Sequence, residues 1–443
     1  MKLSYSIRKS VLAASVMVAM AAMSTPPQAG EAYVGTRLSP GSVSARLPEA
    51  AGQALPPEVK VGTSAIIDFE FDWGRDGVYC PQCNFGTGNA RLVYFDQKTF
   101  EMWVGDVDVN TGNFYPEDGK GTRVATNIAN HVGNGPEWMF SSRDSEIVYT
   151  TYLEGKPRAA EYMTIGAAQM SAGSWVASIV PGTSPRKGPI GSLNLDDLAP
   201  RAHYRSSTSG ELHWRDVWSA SPEVQFPKLP RGTTSRRWVV GTRRIIMNGS
   251  VADHVTGAFY KQVFLYDTNT GSVEQLTFDP VNKEQGVFMF QAPEFGNEFV
   301  FFTVTEGTHL NIYRKMPDAS GSLRWAVVNT IAMPTDTPYI GSPEAFVHNG
   351  RSWVFFYLSS QSPDSGVGVS TRIAMTGIDP ATPSLKVLTS LDPPRFRSDP
   401  EYFVTANGPY IYYNRYWLPN EKHRSVANEG IYRVDTGLGP RNP

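Results

Sequence analysis

Cysteine is nearly absent from this chain of 443 residues. There are two, Cys80 and Cys83, within Tyr79-Cys80-Pro81-Gln82-Cys83-Asn84. Two thiols alone cannot complete a structural zinc site, which usually has four ligands. A thioredoxin-type redox pair would need a βαβ setting, and none is visible in the sequence. We therefore predict a disulfide between Cys80 and Cys83 that staples a loop, with redox or metal chemistry as the alternative.

Neither sign of charge dominates the sequence. The formal net charge is −2, and no basic stripe is visible, which argues against a nucleic-acid partner. A Gly-x-Ser-x-Gly element is also missing, and this weakens the case for a serine hydrolase. No stretch has the pattern of a long amphipathic helix. The chain is therefore expected to be built from strands, with its 12% of aromatic residues contributing to a large core.

Long apolar runs are missing except near the N-terminus, where Val11 to Met23 is apolar. Three positive residues precede that run: Lys2, Arg8 and Lys9. This order, with small residues at Ala29-Gly30, is typical of a secretory signal peptide, here residues 1–29. The run is too short to span a bilayer, and no cysteine follows it to carry a lipid. We expect export to the periplasm or beyond, with no membrane span after cleavage.

A repeat is the strongest positive signal in the sequence. A Pro-Glu pair, a turn of small or polar residues and an aromatic, β-branched run recur together. The four copies have their glutamates at Glu137, Glu294, Glu344 and Glu401, with spacings of 50 and 57 residues between the last three. Self-similarity at such a period in a strand-rich chain is typical of a β-propeller.

The repeats predict an all-β propeller of six blades over residues 62–443. Five blades are the alternative, if an irregular insertion near 183–235 contributes no strand. Residues 30–61 have little periodicity and are predicted to be an arm or linker. A strand near Ala65 to Phe71 is expected to complete the last blade and so close the ring by hydrogen bonds.

Two short motifs resemble known propeller families. The turn Asp267-Thr268-Asn269-Thr270-Gly271 followed by Gln275-Leu276-Thr277 is similar to the repeats of Tol-type β-propellers. The phrase Ser342 to Gly350, followed by an aromatic strand, is similar to the blades of five-bladed propeller glycosidases. Together these matches cover roughly residues 62–437, repeat by repeat. The second resemblance implies carboxylates that act on a carbohydrate at the mouth of the channel.

Equivalent residues at the start of each blade are expected to form a ring around the channel. Five of these head residues are carboxylates, to which we assign catalytic roles: Asp72, Glu137, Glu294, Glu344 and Glu401. Carboxylates brought together repel one another. A bound cation, a basic partner or shared protons with raised pKa values must therefore offset the repulsion. A carboxylate pair could serve as acid and base in glycosidic cleavage. Alternatively the ring could bind Ca²⁺, or each glutamate could simply cap its own turn.

Several residues beside the heads are predicted to contact a substrate. They are His131, Trp138, His213, Trp214 and Arg397. His213 belongs to a degenerate third head, and the tryptophans follow head residues directly. These tryptophans either pack between blades or form a platform on which sugar rings stack.

The sequence as a whole favours an exported carbohydrate-active enzyme of the glycoside hydrolase or polysaccharide lyase type. One alternative is a non-enzymatic propeller that binds a protein or peptide. Another is a Ca²⁺-dependent hydrolase of a small ester or lactone, and Ca²⁺ is the only cofactor that the sequence suggests.

Overall fold

Seven antiparallel sheets form the fold. The computed structural model describes residues 54–72, 90–116, 120–129, 135–142, 144–194, 196–227, 231–283, 286–363, 368–382, 384–419 and 426–442, all within one compact unit, Gly41–Pro443. In these residues each sheet has four or five strands, and hydrogen-bonded neighbours are mostly consecutive in sequence. In one sheet the outer strand comes from the N-terminal side of the domain, and in another sheet two strands pair with the same neighbour. Seven such sheets, each a blade, define an all-β propeller in which the inner strand of each blade lines a central channel.

The first half of the chain supplies blades 1 to 3 and one strand of blade 7. That strand is β1 (Val59–Lys60). Blade 1 contains β2 (Ile66–Phe71), β3 (Ala90–Asp96), β4 (Glu101–Val107), β5 (Phe114–Tyr115) and β6 (Thr122–Thr126), the last two both paired with β4. Blade 2 contains β7 (Glu137–Phe140), β8 (Ser145–Tyr152), β9 (Met163–Ser171) and β10 (Ser174–Ile179). Blade 3 contains β11 (Arg186–Gly191), β12 (Arg201–Ser206), β13 (Leu212–Asp216) and β14 (Val224–Gln225).

The second half supplies blades 4 to 7. Blade 4 contains β15 (Arg231–Trp238), β16 (Arg244–Ala252), β17 (Phe259–Asp267) and β18 (Val273–Gln275). Blade 5 contains β19 (Phe288–Ala292), β20 (Glu298–Thr305), β21 (His309–Pro317) and β22 (Leu323–Ala332). Blade 6 contains β23 (Tyr339–His348), β24 (Arg351–Ser359), β25 (Thr371–Gly377) and β26 (Lys386–Val387), and blade 7 contains β27 (Arg395–Thr405), β28 (Gly408–Trp417) and β29 (Ala427–Asp435).

Two short 3₁₀ turns have defined bounds in the described part of the chain. One, Ala160–Tyr162, precedes β9, and the other, Pro293–Phe295, follows β19. No helix among the described residues is long and apolar enough to cross a membrane.

The blade count differs from the predicted six or five because the segment 183–235 is not an irregular insertion. It contains all four strands of blade 3 and the first part of β15. The inner strand of blade 3 reads Arg-Lys-Gly-Pro-Ile-Gly, with neither the Pro-Glu pair nor an aromatic run. The repeat therefore has no recognisable head in this blade, and two blades were counted as one.

The outer strand of blade 7 comes from the N-terminal side of the domain. Val59 pairs with Arg433 and Lys60 with Tyr432. The segment expected to take this place, Ala65 to Phe71, instead forms the inner strand of blade 1. The residues before 62, predicted to be an arm, thus include part of a blade.

A single carboxylate, that of Glu58, ties this N-terminal segment to blade 7. It accepts hydrogen bonds from Arg397 Nη2 at 2.5 Å, Arg397 Nε at 3.1 Å, the Tyr413 hydroxyl at 2.8 Å and Arg415 Nη1 at 3.2 Å. The Arg397 side chain is fully buried. Arg397, predicted to contact a substrate, therefore lies in a structural contact that joins distant parts of the chain.

Aromatic side chains fill the spaces between blades. Phe346 of blade 6 stacks on Tyr402 of blade 7, with 5.1 Å between ring centroids. Phe71 of blade 1 lies 5.2 Å from Phe403 of blade 7. Such pairs bury large apolar areas and add a modest preference for one geometry. The aromatic runs of the repeat therefore serve the packing of each blade on the next.

A β-bulge recurs in the inner strands and sets the direction of the side chains that follow. In five of these strands the pairing register shifts next to a residue with positive φ. These residues are Asp68, Gly188, Ser235, Ser342 and Asp399, with φ between 44° and 58°. Glycine and short polar residues tolerate this left-handed conformation best. Because a bulge re-aims the strand beyond it, the residue two positions later occupies the same place in each of these blades.

Candidate functional site

The positions two residues after the bulges bring charged side chains together in the channel. Four of the five positions are charged, Glu70, Arg237, Glu344 and Glu401, and the fifth is Ile190. In blade 2 the inner strand begins at Glu137, which also lines the channel cavity. We call the following set the channel cluster: Asp68, Glu70, Glu137, Glu344, Asp399, Glu401 and Arg237.

Arg237 is the positive member of the channel cluster. Its Nη2 donates a hydrogen bond to Glu344 Oε1 at 2.8 Å, and its side chain keeps 35% of its surface exposed. Burial alone would lower the pKa of Arg237. Glu344, Glu137, Glu70 and Glu401 together raise that pKa above its ordinary value. Arg237 therefore stays charged and offsets part of the repulsion among the carboxylates.

The carboxyl groups of the cluster hold protons more tightly than usual. Burial, followed by the charges of Asp399 and Glu137, raises the pKa of Asp68 to about 8. Burial also raises the pKa of Glu70 well above its ordinary value, and the charges of Glu137 and Glu344 add to this effect. At neutral pH some of these carboxyl groups are consequently protonated. Protonation of part of the set reduces the repulsion between neighbouring carboxylates.

Blades 6 and 7 supply the remaining carboxyl groups. Burial raises the pKa of Glu401 well above its ordinary value, with Glu344, Glu70 and Asp399 adding repulsion. Burial also raises the pKa values of Glu344 and Asp399, and in both the charge of Arg237 acts in the opposite direction. Arg237, which also binds Glu344 directly, thus favours its ionised form, although burial keeps the pKa of Glu344 above the ordinary value.

Several oxygens of the cluster are buried without a hydrogen-bond donor. They are Asp68 Oδ2, Glu344 Oε2 and Glu401 Oε2. The Glu401 residue is only 2% exposed. A buried carboxylate oxygen needs a proton, a cation or a donor from a ligand to offset its lost hydration.

A small cavity of about 30 Å³ lies beside Glu344. Its polar lining comes from Glu70, Glu137, Arg237 and Glu344, and its apolar lining includes Trp138, Phe140, Trp238 and Phe288. A cavity of this volume holds about one or two waters, so any larger group must enter from the open channel. Among the described residues, no three His, Cys, Asp or Glu side chains are arranged to hold a metal ion.

Two of the predicted catalytic carboxylates lie outside the channel cluster and connect blades instead. Asp72 accepts hydrogen bonds from Arg91 Nη2 at 2.7 Å and from the hydroxyl of Ser145, which begins the second strand of blade 2, at 2.6 Å. Glu294 accepts from the backbone N–H of Ser352 at 2.9 Å and from its hydroxyl at 2.7 Å, near the start of the second strand of blade 6. The expectation that both belong to the channel ring is therefore wrong.

The predicted third head is not at the channel either. His213 and Trp214 lie in β13, the third strand of blade 3. Trp214 is buried between blades, where its Nε1 donates to the Tyr266 hydroxyl at 3.2 Å and Arg201 packs over its ring at 4.5 Å. His213 lies 3.6 Å from Glu223. Neither side chain is brought to the channel cluster.

Trp138 does lie beside the cluster, but as part of the packed wall. It is 4% exposed, and its Nε1 donates to the Glu70 carbonyl at 3.0 Å. Arg91 lies 5.1 Å from its ring centroid. Both contacts favour the packing role over an open stacking platform. His131, Cys80 and Cys83 lie outside the described residues.

The Pro-Glu repeat does not identify the cluster members Asp68, Glu70, Arg237 and Asp399. The signal that identifies them is a small or short polar residue two positions before a charged one. It appears as Asp68-Phe69-Glu70, Ser235-Arg236-Arg237 and Asp399-Pro400-Glu401. The small residue accepts the left-handed conformation of the bulge, and this requirement marks the channel position better than the Pro-Glu pair does.

Comparison with solved structures supports the fold alone. The β-propeller domain of Cps50 (Swd1) from Myceliophteria thermophila is similar with a TM-score of 0.50 and 8% identity, covering 86% of this chain and 99% of that one. A complex of KlAtg21 with the coiled coil of AgAtg16 gives a TM-score of 0.46 at 11% identity, covering 84% and 100% of the two chains. Trypanosoma rangeli sialidase in complex with sialic acid gives 0.39 at 8% identity, covering 75% of this chain and 57% of the sialidase. No protein-family model matches the chain, and no curated protein matches its sequence.

Proposed function

We propose that the chain is an exported carbohydrate-active enzyme that hydrolyses a glycosidic bond at the channel cluster. The observation that carries this proposal is the set of buried carboxyl groups with raised pKa values around Glu344, which Arg237 binds. Glycosidic cleavage requires one protonated and one ionised carboxyl group. Different environments that separate the pKa values of neighbouring carboxyl groups are the usual means of supplying both.

Glu401 is the proposed general acid and Glu344 its ionised partner. The proton of Glu401 passes to the leaving glycosidic oxygen as the bond from that oxygen to the anomeric carbon breaks. Glu344, oriented by Arg237, takes a proton from the water that attacks the anomeric carbon. Glu344 then gives its proton to solvent and the Glu401 carboxylate is reprotonated from solvent, so that both return to their starting states. The products are two sugars with free hydroxyl groups.

A second candidate is binding of a cationic group without catalysis. The unpartnered Oε2 atoms of Glu344 and Glu401 favour it, because a carboxylate oxygen accepts hydrogen bonds from an ammonium group. A lysine side chain or peptide N-terminus carries such a group, and Ca²⁺ is the corresponding hard cation. This candidate corresponds to a propeller that recognises a peptide or protein partner.

Activity on a panel of neutral and acidic polysaccharides tests the proposal, with Glu401→Gln, Glu344→Gln and wild type compared. Glu294→Gln is the matched control, since Glu294 has the same Pro-Glu motif but lies outside the channel cluster. Loss of a general acid or base is expected to lower kcat/KM by at least about 100-fold, with the control unchanged. An unsaturated product, detected by its ultraviolet absorbance, would assign the reaction as elimination.

Calorimetric titration with CaCl₂ and with a lysine-containing peptide distinguishes the second candidate. Saturable binding that Glu401→Gln abolishes, with no turnover of any polysaccharide, would establish recognition of a cation. Equal behaviour of all three variants and wild type in both assays would exclude both functions.

A further inference from the structure

A buried arginine without an acidic partner lies next to the channel cluster in sequence. Arg236 precedes Arg237 in β15 and is 8% exposed. Its Nε is buried and has no hydrogen-bond partner. The charges that act on it within the described chain are those of Arg205 and Arg237, both positive. A buried guanidinium in such a position loses its hydration without compensation.

Blade 3 places the positive charge of Arg205 near Arg236, and Lys187 lies next to Arg205. Lys187 of β11 and Arg205 of β12 lie directly opposite each other in the sheet. The Arg205 Nε is also buried without a hydrogen-bond partner. We call Lys187, Arg205 and Arg236 the basic cluster.

The strand pattern explains why these cations meet between blades 3 and 4. Alternate residues of a strand share one face, so His203 and Arg205 lie on the same face of β12, as Arg236 and Trp238 do on β15. The His203 ring is 5.6 Å from the Trp238 ring, which shows that these two faces pack together. His203 is fully buried, and neither ring nitrogen has a hydrogen-bond partner.

The electrostatic cost of this arrangement is visible at Arg236, at Lys187 and at the neighbouring His203. Burial, with Arg205 and Arg237, lowers the pKa of Arg236 to about 9. Burial and Arg205 lower the pKa of Lys187. Burial, with Arg236 and Arg237, lowers the pKa of His203 well below its ordinary value, so His203 is neutral and adds no charge. An anion between the three cations would remove the repulsion and supply the missing acceptors.

We propose that Lys187, Arg205 and Arg236 form an anion-binding site between blades 3 and 4, which takes a carboxylate, sulfate or phosphate group. Arginine suits this role because its planar guanidinium donates two parallel hydrogen bonds to such groups. The carboxylates of the channel cluster act on Arg237, the residue that follows Arg236. They do not neutralise Arg236. The anion site is independent of any reaction at the channel cluster.

Isothermal titration of the wild-type protein with sodium sulfate, sodium phosphate and sodium glucuronate tests this site, with NaCl of equal ionic strength as the reference. At least one of the three anions is expected to bind saturably with one site per chain. Their relative affinities identify the source: a sulfate ester, a phosphate group or the carboxylate of an acidic sugar. Heat changes that do not saturate for any of the three would overturn the proposal.

Arg236→Met locates the site, because it removes the charge and keeps a similar length. It is expected to weaken binding at least tenfold. Arg123→Met is the control, since Arg123 is exposed and paired with Glu101, and it should bind as wild type does. Should Arg236→Met not fold, Arg205→Gln and Lys187→Gln, at less buried positions, serve the same purpose. Wild-type affinity in the basic-cluster variants would overturn the assignment.

Discussion

Arg237 of blade 4 donates a hydrogen bond to Glu344 of blade 6 at 2.8 Å, and the blade between them takes no part. The inner strand of blade 5 presents Phe288, Met289 and Phe290, all buried and apolar. The channel is therefore divided. Blades 6, 7, 1 and 2 contribute carboxyl groups, whereas blades 3 to 5 contribute apolar residues and arginine.

Loss of Arg237 should expose the dependence of Glu344 on its partner. Arg237→Met leaves a buried carboxylate without its donor, which typically costs of order 3 kcal/mol of unfolding free energy. The cost should be smaller at pH 5, where Glu344 can take up a proton. Urea unfolding at pH 5 and pH 8 measures both values. The double variant Arg237→Met/Glu344→Gln should recover most of the loss, and a double variant as unstable as the single one would contradict this account.

The raised pKa of Asp68 predicts how stability depends on pH. Asp68 titrates near pH 8 in the folded protein and near pH 4 in the unfolded chain. Between these values the folded state holds the extra proton, so this group's contribution to stability is full at low pH and is lost as pH rises towards 8. Asp68→Asn removes that dependence and keeps a residue that tolerates positive φ.

Thermal melts from pH 4 to pH 9 test this prediction. Asp68→Asn should melt close to wild type at pH 4 and higher than wild type at pH 8, by at least about 2 °C. Asp253→Asn is a suitable control, because Asp253 lies in an exposed turn with a lowered pKa. A difference between Asp68→Asn and wild type that stays constant with pH would show that Asp68 does not titrate in this range.

Glu58 predicts the opposite dependence on pH. Burial raises its pKa, but Arg397, Tyr413 and Arg415 together lower it below the ordinary value. The stabilisation it gives is therefore complete above pH 4.5 and is lost as pH falls through the lower pKa of the folded state. Glu58→Gln should cost about 1.5–3 kcal/mol at pH 7, typical of hydrogen bonds to a charged group, and less at pH 3. Chemical unfolding at the two pH values gives the comparison, and an equal loss at both would contradict it.

Cys80 and Cys83 are predicted to form a disulfide in an oxidising compartment. Alkylation of the unreduced protein followed by mass spectrometry should find no modified cysteine, and prior reduction should yield two. Two alkylated cysteines before reduction would refute the disulfide.

The sequence was sufficient to identify a propeller because the repeat reflects the packing of each blade. The aromatic, β-branched runs that follow the heads form buried second strands, such as β20, β24 and β28. Of the glutamates in the repeat, Glu137, Glu344 and Glu401 lie in the channel cluster. Glu294 carries the same letters, but Pro293 begins a 3₁₀ turn beyond the end of β19, which takes the glutamate out of the inner strand.

The remaining members of the channel cluster could not be predicted from sequence motifs, because the pairing register of the inner strands decides which side chains face the channel. Arg237 lies in Arg-Gly-Thr-Thr-Ser-Arg-Arg-Trp, a run with the composition of an exposed strand. Two register shifts in this strand decide that Arg237 reaches Glu344 and that Arg236 faces blade 3. Blade 3 was hidden for a related reason, since Ile190 occupies its channel position and carries no charge.

The pairing of Lys60 with Tyr432 joins residues 372 positions apart and makes closure of the ring a late event. During synthesis β1, the partner of β29, is made first and must stay unpaired until β29 has been synthesised. Until then blade 7 has three strands and an open edge, and open edges recruit strands from other molecules. A protein that lacks residues 1–61 would keep that edge permanently and should exchange strands with a second copy or aggregate. A circular permutant opened between blades 4 and 5, with residues 442 and 54 linked, would instead complete blade 7 within a continuous stretch of nascent chain.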